Sequence, residues 1–258
     1  MLVYDDIENY KTWKKQFKRF KKVTVLKTKY SIKIVFGNKK VYLSKGDMGQ
    51  TNILGLINKV KNDVTKYINK ESIETVRGSD IFWYYYNENN DKKEEKFEVA
   101  KIDLTSAYWT KAINNGIISK ETQEYFEGLN FSDIKEKKSA RLKAFGSLAT
   151  VKSTEIYEYG KRSKEFIPPV MNELFRSVYM GICKEVSEDM QQVLGRVNGV
   201  YYYWDMIFVE LDSTNEVGEI FKAMGYNFTI EKDVAEVVES DLIAYLYCYK
   251  TGVKYPLN

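Results

Sequence analysis

The stretch GVYYYWDMIFVEL, from Gly199 to Leu211, constrains the fold of this chain more than any other. Aromatic and apolar residues stand on both sides of a Trp-Asp pair, and Asp205 is the only charged residue between Gly199 and Val209. Apolar residues at consecutive positions suit strands that are buried on both faces. The stretch therefore predicts a central strand, a turn and a second strand. A buried carboxylate is costly unless it is paired or bound to a metal, so Asp205 raises the question of a partner.

The 258 residues contain no histidine. This excludes Ser-His-Asp and Cys-His catalysis and any zinc site with a histidine ligand. The two cysteines, Cys183 and Cys248, are too few for a zinc site without histidine, and they indicate no disulfide framework. Carboxylates without histidine favour a hard cation, Mg²⁺ or Mn²⁺.

Neither a membrane segment nor a leader is expected. No run of 18 uncharged apolar residues occurs, and the N-terminal residues lack the basic and apolar regions of a signal peptide. With few cysteines, a reducing cytoplasm is the expected location.

Positive charge is concentrated near the N-terminus. Residues 1–50 hold 13 Lys/Arg against 4 Asp/Glu, whereas the net charge of the whole chain is +4. A basic segment rich in aromatic residues is typical of a nucleic-acid surface. The alternative is a solvated helix face, which is the more common meaning of a charge run.

Hydrophobic periodicity predicts alternating helices and strands. Residues 5–22 are expected to form one amphipathic helix, and residues 23–44 two or three antiparallel strands around Gly37-Asn38. A charged loop is predicted at 87–96. Further helices are predicted at 49–70, 107–127, 133–149 with Ser132 as N-cap, and 168–195, and a hairpin at 150–162.

The best partner for Asp205 is Asp103, in KIDLTSAYW. Both aspartates stand where an apolar strand gives way to a turn. If the two strands are neighbours, the carboxylates would repel unless a divalent cation lies between them. Two metal ions held in this way can stabilise the attacking and leaving oxygens of phosphoryl transfer.

Three motifs in the right order resemble family B DNA polymerases. DLTSAYW matches the D-x-x-S-L-Y-P motif at Asp103, Ser106 and Tyr108. RLKAFGSLAT is similar to the basic helix K-x-x-x-N-S-x-Y-G, with Arg141 at the lysine. The Asp205 hairpin is similar to Y-x-D-T-D-S-I, with Asp205 at the second aspartate. The resemblance covers about residues 97–215.

The chain departs from these motifs at several positions. Tyr203, Trp204 and Met206 replace the first aspartate, the threonine and the serine of the hairpin. The asparagine, serine, tyrosine and glycine of the basic helix are also replaced. About 100 residues precede Asp103, which leaves no room for the proofreading exonuclease domain of the family.

The resemblance implies a role for each matching residue. Asp103 and Asp205 would be the catalytic metal ligands, holding Mg²⁺ or Mn²⁺. Arg141 and Lys138 would grip the triphosphate, Ser106 would contact its tail, and Tyr108 would exclude a 2′-hydroxyl. The last group would contact DNA: Tyr203 and Trp204 by stacking, and Lys250 and Lys254 through primer phosphates.

Each role has a simpler alternative. The aspartates could be strand-end residues in turns, the lysines and the arginine an exposed helix face, and Tyr108 a half-buried aromatic. Tyr203 and Trp204 could pack on the two faces of the hairpin.

The expected fold class is α+β: a polymerase-type palm, with an antiparallel sheet and helices on one face, plus a small basic N-terminal α/β extension. The extension is assigned to 1–95, as a nucleic-acid grip, and the palm to 96–258, with minimal fingers at about 110–150.

The expected function is metal-dependent addition of deoxynucleotides to a DNA 3′ end, by a small polymerase or a template-independent transferase. DNA, a dNTP and a replication protein are the expected partners, in the cytoplasm of a bacterium or of a virus-infected cell, and a phage or mobile element is the expected source. The alternative is a catalytically decayed palm that binds nucleic acid or serves as a scaffold.

Overall fold

A computed structural model describes seven ranges of the chain: 2–28, 31–44, 51–86, 96–165, 167–197, 199–239 and 244–257. The fold is mixed α+β, with two largely antiparallel sheets. Its contacts divide the chain into two compact units, one of Met1–Ile73 with Ile118–Tyr179 and one of Glu74–Ile117 with Met180–Asn258.

The main elements, in chain order, are as follows. The strands are β1 (Leu2–Asp6), β2 (Lys22–Lys27), β3 (Ser31–Phe36), β4 (Lys39–Ser44), β5 (Tyr84–Tyr86), β6 (Phe97–Thr105), β7 (Ser153–Glu158), β8 (Lys161–Arg162), β9 (Gly199–Tyr203), β10 (Met206–Val209), β11 (Asn227–Glu239), β12 (Ala244–Cys248) and β13 (Val253–Pro256). The α-helices are α1 (Tyr10–Lys15), α2 (Thr51–Ile68), α3 (Ala107–Asn114), α4 (Lys120–Glu127), α5 (Ile134–Gly146), α6 (Glu173–Arg196) and α7 (Thr214–Ala223).

The first unit contains a sheet in the order β1-β4-β3-β2-β7-β8. The predicted strands of 23–44 are confirmed, and the two-residue turn between β3 and β4 depends on Gly37, whose φ of +56° suits glycine. The predicted hairpin is β7–β8, with Tyr159 and Gly160 at positive φ. Alternate side chains of β2 and β3 are fully buried, which places an apolar core on one face of this sheet.

The prediction of a single helix over 5–22 is wrong. Leu2–Asp6 form an edge strand parallel to β4, and α1 covers only Tyr10–Lys15 between two 3₁₀ turns. The Asp5 carboxylate accepts hydrogen bonds from the Trp13 indole and the Asn9 amide, both at 2.7 Å. Pairing with β4 therefore outweighs the helical periodicity, which survives only in the apolar side chains that cover the core.

Two other predicted helices have different bounds. The predicted helix of 107–127 is two helices, α3 and α4, because Gly116 takes a φ of +68° between them. The N-cap of α5 is Asp133, whose carboxylate accepts from the Glu136 N–H at 2.7 Å. Ser132, the predicted cap, instead donates to the Glu136 carboxylate. The loop predicted at 87–96 falls almost wholly outside the described residues.

The division into units differs from the predicted boundary near residue 95. Residues 118–179 join the first unit because β7 pairs with β2 along six residues and α5 packs against α2. The segment predicted as fingers, about 110–150, is therefore shared between the units. Nothing local in the sequence indicates a pairing across more than 100 residues.

The second unit contains a sheet in the order β13-β12-β11-β6-β10-β9-β5, antiparallel at every pairing described. One face packs against α3, α6 and α7 through a buried cluster that includes Ile102, Leu104, Met190 and Phe221. The apolar cluster on the opposite face consists of residues from the strands, together with Leu257 after the last strand. The helices within the described ranges of this unit thus cover one face of its sheet.

The helix-free face is concave. Tyr255, on the edge strand β13, lies 4.9 Å from the Phe208 ring of β10 and 5.8 Å from the Tyr203 ring of β9. Four strand spacings separate β13 from β10, which would be about 19 Å in a flat sheet. The Tyr201 hydroxyl also donates to the carbonyl of Pro256. The sheet therefore curls until its edge meets its middle strands.

None of the helices in the described ranges is long and apolar enough to cross a bilayer.

Candidate functional site

Asp103 lies on β6 of the second unit, and Asp205 lies in the turn that leads into the neighbouring strand β10. Met206 pairs with Asp103 across β10 and β6, and the Leu104 N–H donates to the Asp205 carbonyl at 2.9 Å. The aspartates thus occupy diagonal positions at one end of the two strands, and both are half-buried. The backbones of the two residues are therefore close together, although more than 100 residues separate them in the sequence.

The turn that carries Asp205 is strained. Trp204 and Asp205 are the two turn residues between β9 and β10, and Trp204 has a φ of +59°. A bulky residue in this region costs about 1–2 kcal/mol relative to right-handed backbone. The Trp204 N–H donates to the Trp83 carbonyl at 2.7 Å and the two indole rings are 4.7 Å apart, contacts that hold the turn.

A second strained residue follows Asp103. Ser106 has a φ of 60° and a ψ of 41°, and it stands between β6 and α3. Its side chain makes no capping hydrogen bond to the helix, although its carbonyl accepts from the Thr110 N–H. Strained backbone at two turns beside two carboxylates is the pattern that functional sites often show.

A lysine shares the strand face of Asp103. Lys101 is two residues earlier on β6 and forms an ion pair of 2.8 Å with Glu231 on β11. Burial lowers the pKa of Lys101, but the hydrogen bond to Glu231 and the charges of Tyr255 and Asp103 raise it, and the net shift is upward. Burial raises the pKa of Tyr255, Lys101 opposes that shift, and the Asp103 charge adds to it. Asp103 is therefore within electrostatic reach of a cation.

The residues present fit a magnesium ion only in part. Within the described ranges, no three or more His, Cys, Asp or Glu side chains group together as a metal site. In the described part of the chain, Asp103 and Asp205 would be the two carboxylates that hold such an ion. That number suits Mg²⁺, which proteins commonly bind through one or two carboxylates together with substrate phosphates and water.

Tyr108 is half-buried and packs against the helix-side cluster. This packing agrees with the simpler alternative, a structural aromatic at the start of α3. Its predicted role as a gate against a 2′-hydroxyl stays a prediction.

The aromatic residues of the hairpin divide between two environments. Tyr201 and Tyr202 are fully buried, and Tyr203 joins the cluster on the concave face. Trp204 is 42% exposed and lies against Trp83, so it is the hairpin aromatic best placed to stack on a base.

Lys250 and Lys254 lie away from the aspartates along the sheet. The Lys250 N–H donates to Asp233, which pairs with Val99, about 13 Å along β6 from Asp103. The Lys254 ammonium lies 4.4 Å from the centre of the Tyr245 ring, on the edge pair β12–β13. Both lysines are exposed.

Lys138 and Arg141 belong to the first unit, on α5. Lys138 is exposed, and the Arg141 guanidinium lies 5.3 Å from the centre of the Phe126 ring. Burial lowers the pKa of Arg141, whereas the Glu127 charge opposes that shift. Its Nε is buried and has no hydrogen-bond partner among the described residues.

Sequence reasoning missed Lys101, Trp83, Glu231 and Tyr255. The period of two along β6 could have found Lys101, which must share a face with Asp103. The other three come from segments that are distant in sequence, and only the fold brings them to the site.

Comparison with protein-family models, with curated proteins and with solved structures finds no match.

Proposed function

We propose that this protein is a metal-dependent nucleotidyltransferase that adds deoxynucleotides to a DNA 3′ end. One observation carries the proposal: Asp103 on the middle strand β6 and Asp205 in the turn before the neighbouring strand β10 are half-buried and occupy diagonal positions. Helices cover one face of the antiparallel sheet that holds them. The resemblance of the motifs around these aspartates to the palm of family B polymerases supports the same assignment. The DNA, the dNTP, a replication partner and a cytoplasmic, phage-related setting belong to this proposal.

The chain contributes charge and position to the reaction. In the transfer, a 3′-hydroxyl oxygen forms a bond to the α-phosphorus, the bond to pyrophosphate breaks, and the hydroxyl proton passes to water. Bound Mg²⁺ would neutralise the charge that develops on the phosphate oxygens. Asp103 and Asp205 would hold the cation, and the strained turns at Ser106 and Trp204 would fix the positions of the two carboxylates.

A second candidate is a binding protein with decayed chemistry. Lys101 lies within electrostatic reach of Asp103 and already compensates part of its charge, and Tyr203 replaces the first hairpin aspartate of the family. Both features favour a protein that binds nucleic acid, with Trp204 as a stacking surface, and transfers no nucleotide.

Primer extension distinguishes the two candidates. A labelled, primed DNA template is incubated with dNTPs and Mg²⁺ or Mn²⁺, using wild type, Asp205→Asn and the exposed control Asp212→Asn. Wild type and the control should extend the primer, and Asp205→Asn should be slower by at least about a hundredfold, as for loss of one electrostatic stabiliser. Products that follow the template sequence would indicate copying, and products that ignore it would indicate tailing.

A thermal-shift measurement tests the metal site without activity. Mn²⁺ at a hundred times its Kd should stabilise the wild type by about 2.7 kcal/mol. The shift should vanish in Asp103→Ala and persist in Asp212→Asn. The absence of both extension and a Mn²⁺ shift, with DNA still bound, would favour the second candidate.

A further inference from the structure

The first unit contains a cavity of about 330 Å³. One side of the cavity is the face of the sheet that points away from the buried core. The helices α2 and α5 form the other side. Leu26 on β2 and Leu54 and Ile57 on α2 supply apolar walls. The volume is at the lower end of the range for small-molecule sites, about 300–1,000 Å³, and suits a single nucleotide unit better than a duplex.

Every charged residue that lines the cavity is a lysine. They are Lys33, Lys61, Lys143 and Lys152, and no carboxylate is among the described lining residues. They come from β3, α2, α5 and the residue before β7, so the fold and not a sequence run collects them. Elsewhere in the same unit, lysines such as Lys27 and Lys59 do have carboxylate partners. The described lining residues thus give the cavity a positive charge that no lining carboxylate neutralises.

Lys61 carries the clearest sign of this imbalance. It is half-buried, and burial together with the positive charge of Lys152 lowers its pKa. A like-charged pair that is partly removed from water is unfavourable unless an anion neutralises it. The expected ligand is therefore anionic, and four lysines suit several negative charges better than one.

The hydroxyl groups of the cavity are less available to a ligand. The Ser147 and Thr150 hydroxyls donate to the carbonyls of Ala144 and Gly146, and Thr28 and Ser31 bond to each other. Recognition by lysine ammonium groups without a dense set of free hydroxyls suits phosphate oxygens more than a sugar with many hydroxyls.

An aromatic pair completes the lining. The rings of Tyr4 and Tyr42 stack 5.7 Å apart at an angle of 26°, and the Lys33 ammonium lies 5.2 Å from the centre of the Tyr42 ring. Tyr4 is 38% exposed, so its ring is accessible. An aromatic surface beside apolar walls and lysines suits a ligand with a planar base and a phosphate tail.

We propose that this cavity binds the base and phosphate groups of a nucleotide, either free or within a single strand. The site needs neither Asp103 nor Asp205, so it goes beyond the proposed transfer reaction and does not depend on it. Because lysines and not a cation hold the phosphates, binding should persist in EDTA, where a metal-dependent nucleotide site would be empty.

The test measures the binding of three probes at low salt in EDTA. Calorimetry is used for dATP and inorganic tripolyphosphate, and fluorescence anisotropy for a labelled twelve-nucleotide oligo(dT). The variant Lys61→Gln/Lys152→Gln is compared with Lys70→Gln/Lys120→Gln, which removes the same charge from exposed positions of the same unit. The cavity variant should bind dATP or the oligonucleotide at least about tenfold more weakly, as expected for loss of one charge-assisted hydrogen bond. The control should stay within about twofold of the wild type, because exposed charges contribute little.

A second variant tests the base. Tyr4→Leu should weaken dATP or oligonucleotide binding and leave tripolyphosphate binding unchanged. Tighter binding of dATP would identify a free nucleotide as the source, and tighter binding of oligo(dT) would identify a strand.

Three results would overturn the proposal. They are no saturable binding of dATP or the oligonucleotide, equal losses in the cavity and control variants, and tripolyphosphate binding as tightly as both nucleotide probes. The assay contains no divalent cation, and Asp205→Asn should bind the probes like the wild type. A failure of the cavity proposal can therefore be told apart from a failure of the transferase proposal.

Discussion

The ion-paired lysines of the second unit contrast with the lysines that line the cavity of the first unit. In the second unit, Lys101 and Lys111 each meet a carboxylate at 2.8 Å. In the first, Lys61 lines a cavity with three other lysines and no described carboxylate. Paired charges of the first kind are part of the fold, because breaking them leaves a buried charge without a partner. The clustered lysines of the cavity repel one another and so destabilise the folded state. An anionic ligand that neutralises them would explain their arrangement.

The largest expected effect concerns the paired lysine Lys111. Asp189 accepts from Lys111 at 2.8 Å and from the Tyr226 hydroxyl at 2.6 Å. Asp189→Asn should lower the free energy of unfolding by about 2–3 kcal/mol, since it removes the nearer of two carboxylate charges that compensate Lys111, the other being Glu185 at 3.7 Å. Urea denaturation followed by circular dichroism measures the change.

The matched control for this prediction is Glu188→Gln, one residue earlier on α6. Glu188 forms an exposed pair with Lys184, and its loss should cost less than about 0.5 kcal/mol. Similar costs for the two variants would mean that the pairs of the second unit contribute no more than surface charges do.

The unpaired lysine should give an effect of opposite sign. Lys61→Met should raise the free energy of unfolding by about 0.5–1 kcal/mol at neutral pH, within the range of surface-charge optimisation. The gain arises because the substitution removes a charge that burial and Lys152 disfavour. Thermal denaturation in the absence of nucleotide checks it, with Lys70→Met as the exposed control. A loss of stability in Lys61→Met alone would show that Lys61 already has a compensating partner.

The smallest expected effect is the pH dependence of the two lysines. The folded-state pKa of Lys101 is raised above its ordinary value of 10.5, so its stabilisation is present below that pH and is lost as the pH rises through the folded pKa. The pKa of Lys61 is lowered, so its unfavourable contribution is present at neutral pH and disappears as the pH rises from the folded pKa to 10.5.

Between pH 9 and pH 11 the stabilities of the two variants should therefore converge on that of the wild type. Relative to the wild type, the stability advantage of Lys61→Met should shrink, and the stability deficit of Lys101→Met should shrink as well. Melting temperatures of the three proteins across this range provide the measurement. A growing difference for either variant would contradict the assigned direction of its pKa shift.

The pairing of β6 with β10 joins segments about 100 residues apart in the sequence, so no local pattern decides it. Local patterns do predict the β9–β10 hairpin, and they single out Asp103 and Asp205 as residues where an apolar run ends in a carboxylate and a turn. Such signals lie within a dozen residues of the chain, where side-chain period and turn chemistry act directly.

The remaining features depend on long-range pairing. Residues 2–6 form a strand because β4 offers an edge, although the periodicity of residues 5–22 favours a helix. The lysines of the cavity come from four separate elements, so no charge run could reveal them. Tyr255 reaches the concave face only because the sheet curls. Each of these outcomes is decided by a partner far away in the sequence.

The pairing of β2 with β7 has a consequence for synthesis on the ribosome. β2 is complete at Lys27, whereas its partner begins at Ser153. At about 5–20 residues per second, one edge of β2 waits roughly 6–25 s before β7 emerges. During that interval the nascent chain presents an open strand edge, which invites pairing with other chains. Charged side chains disfavour pairing between strand edges of different chains. Lys22 and Lys27, at the two ends of β2, would therefore reduce aggregation of the nascent chain during this interval.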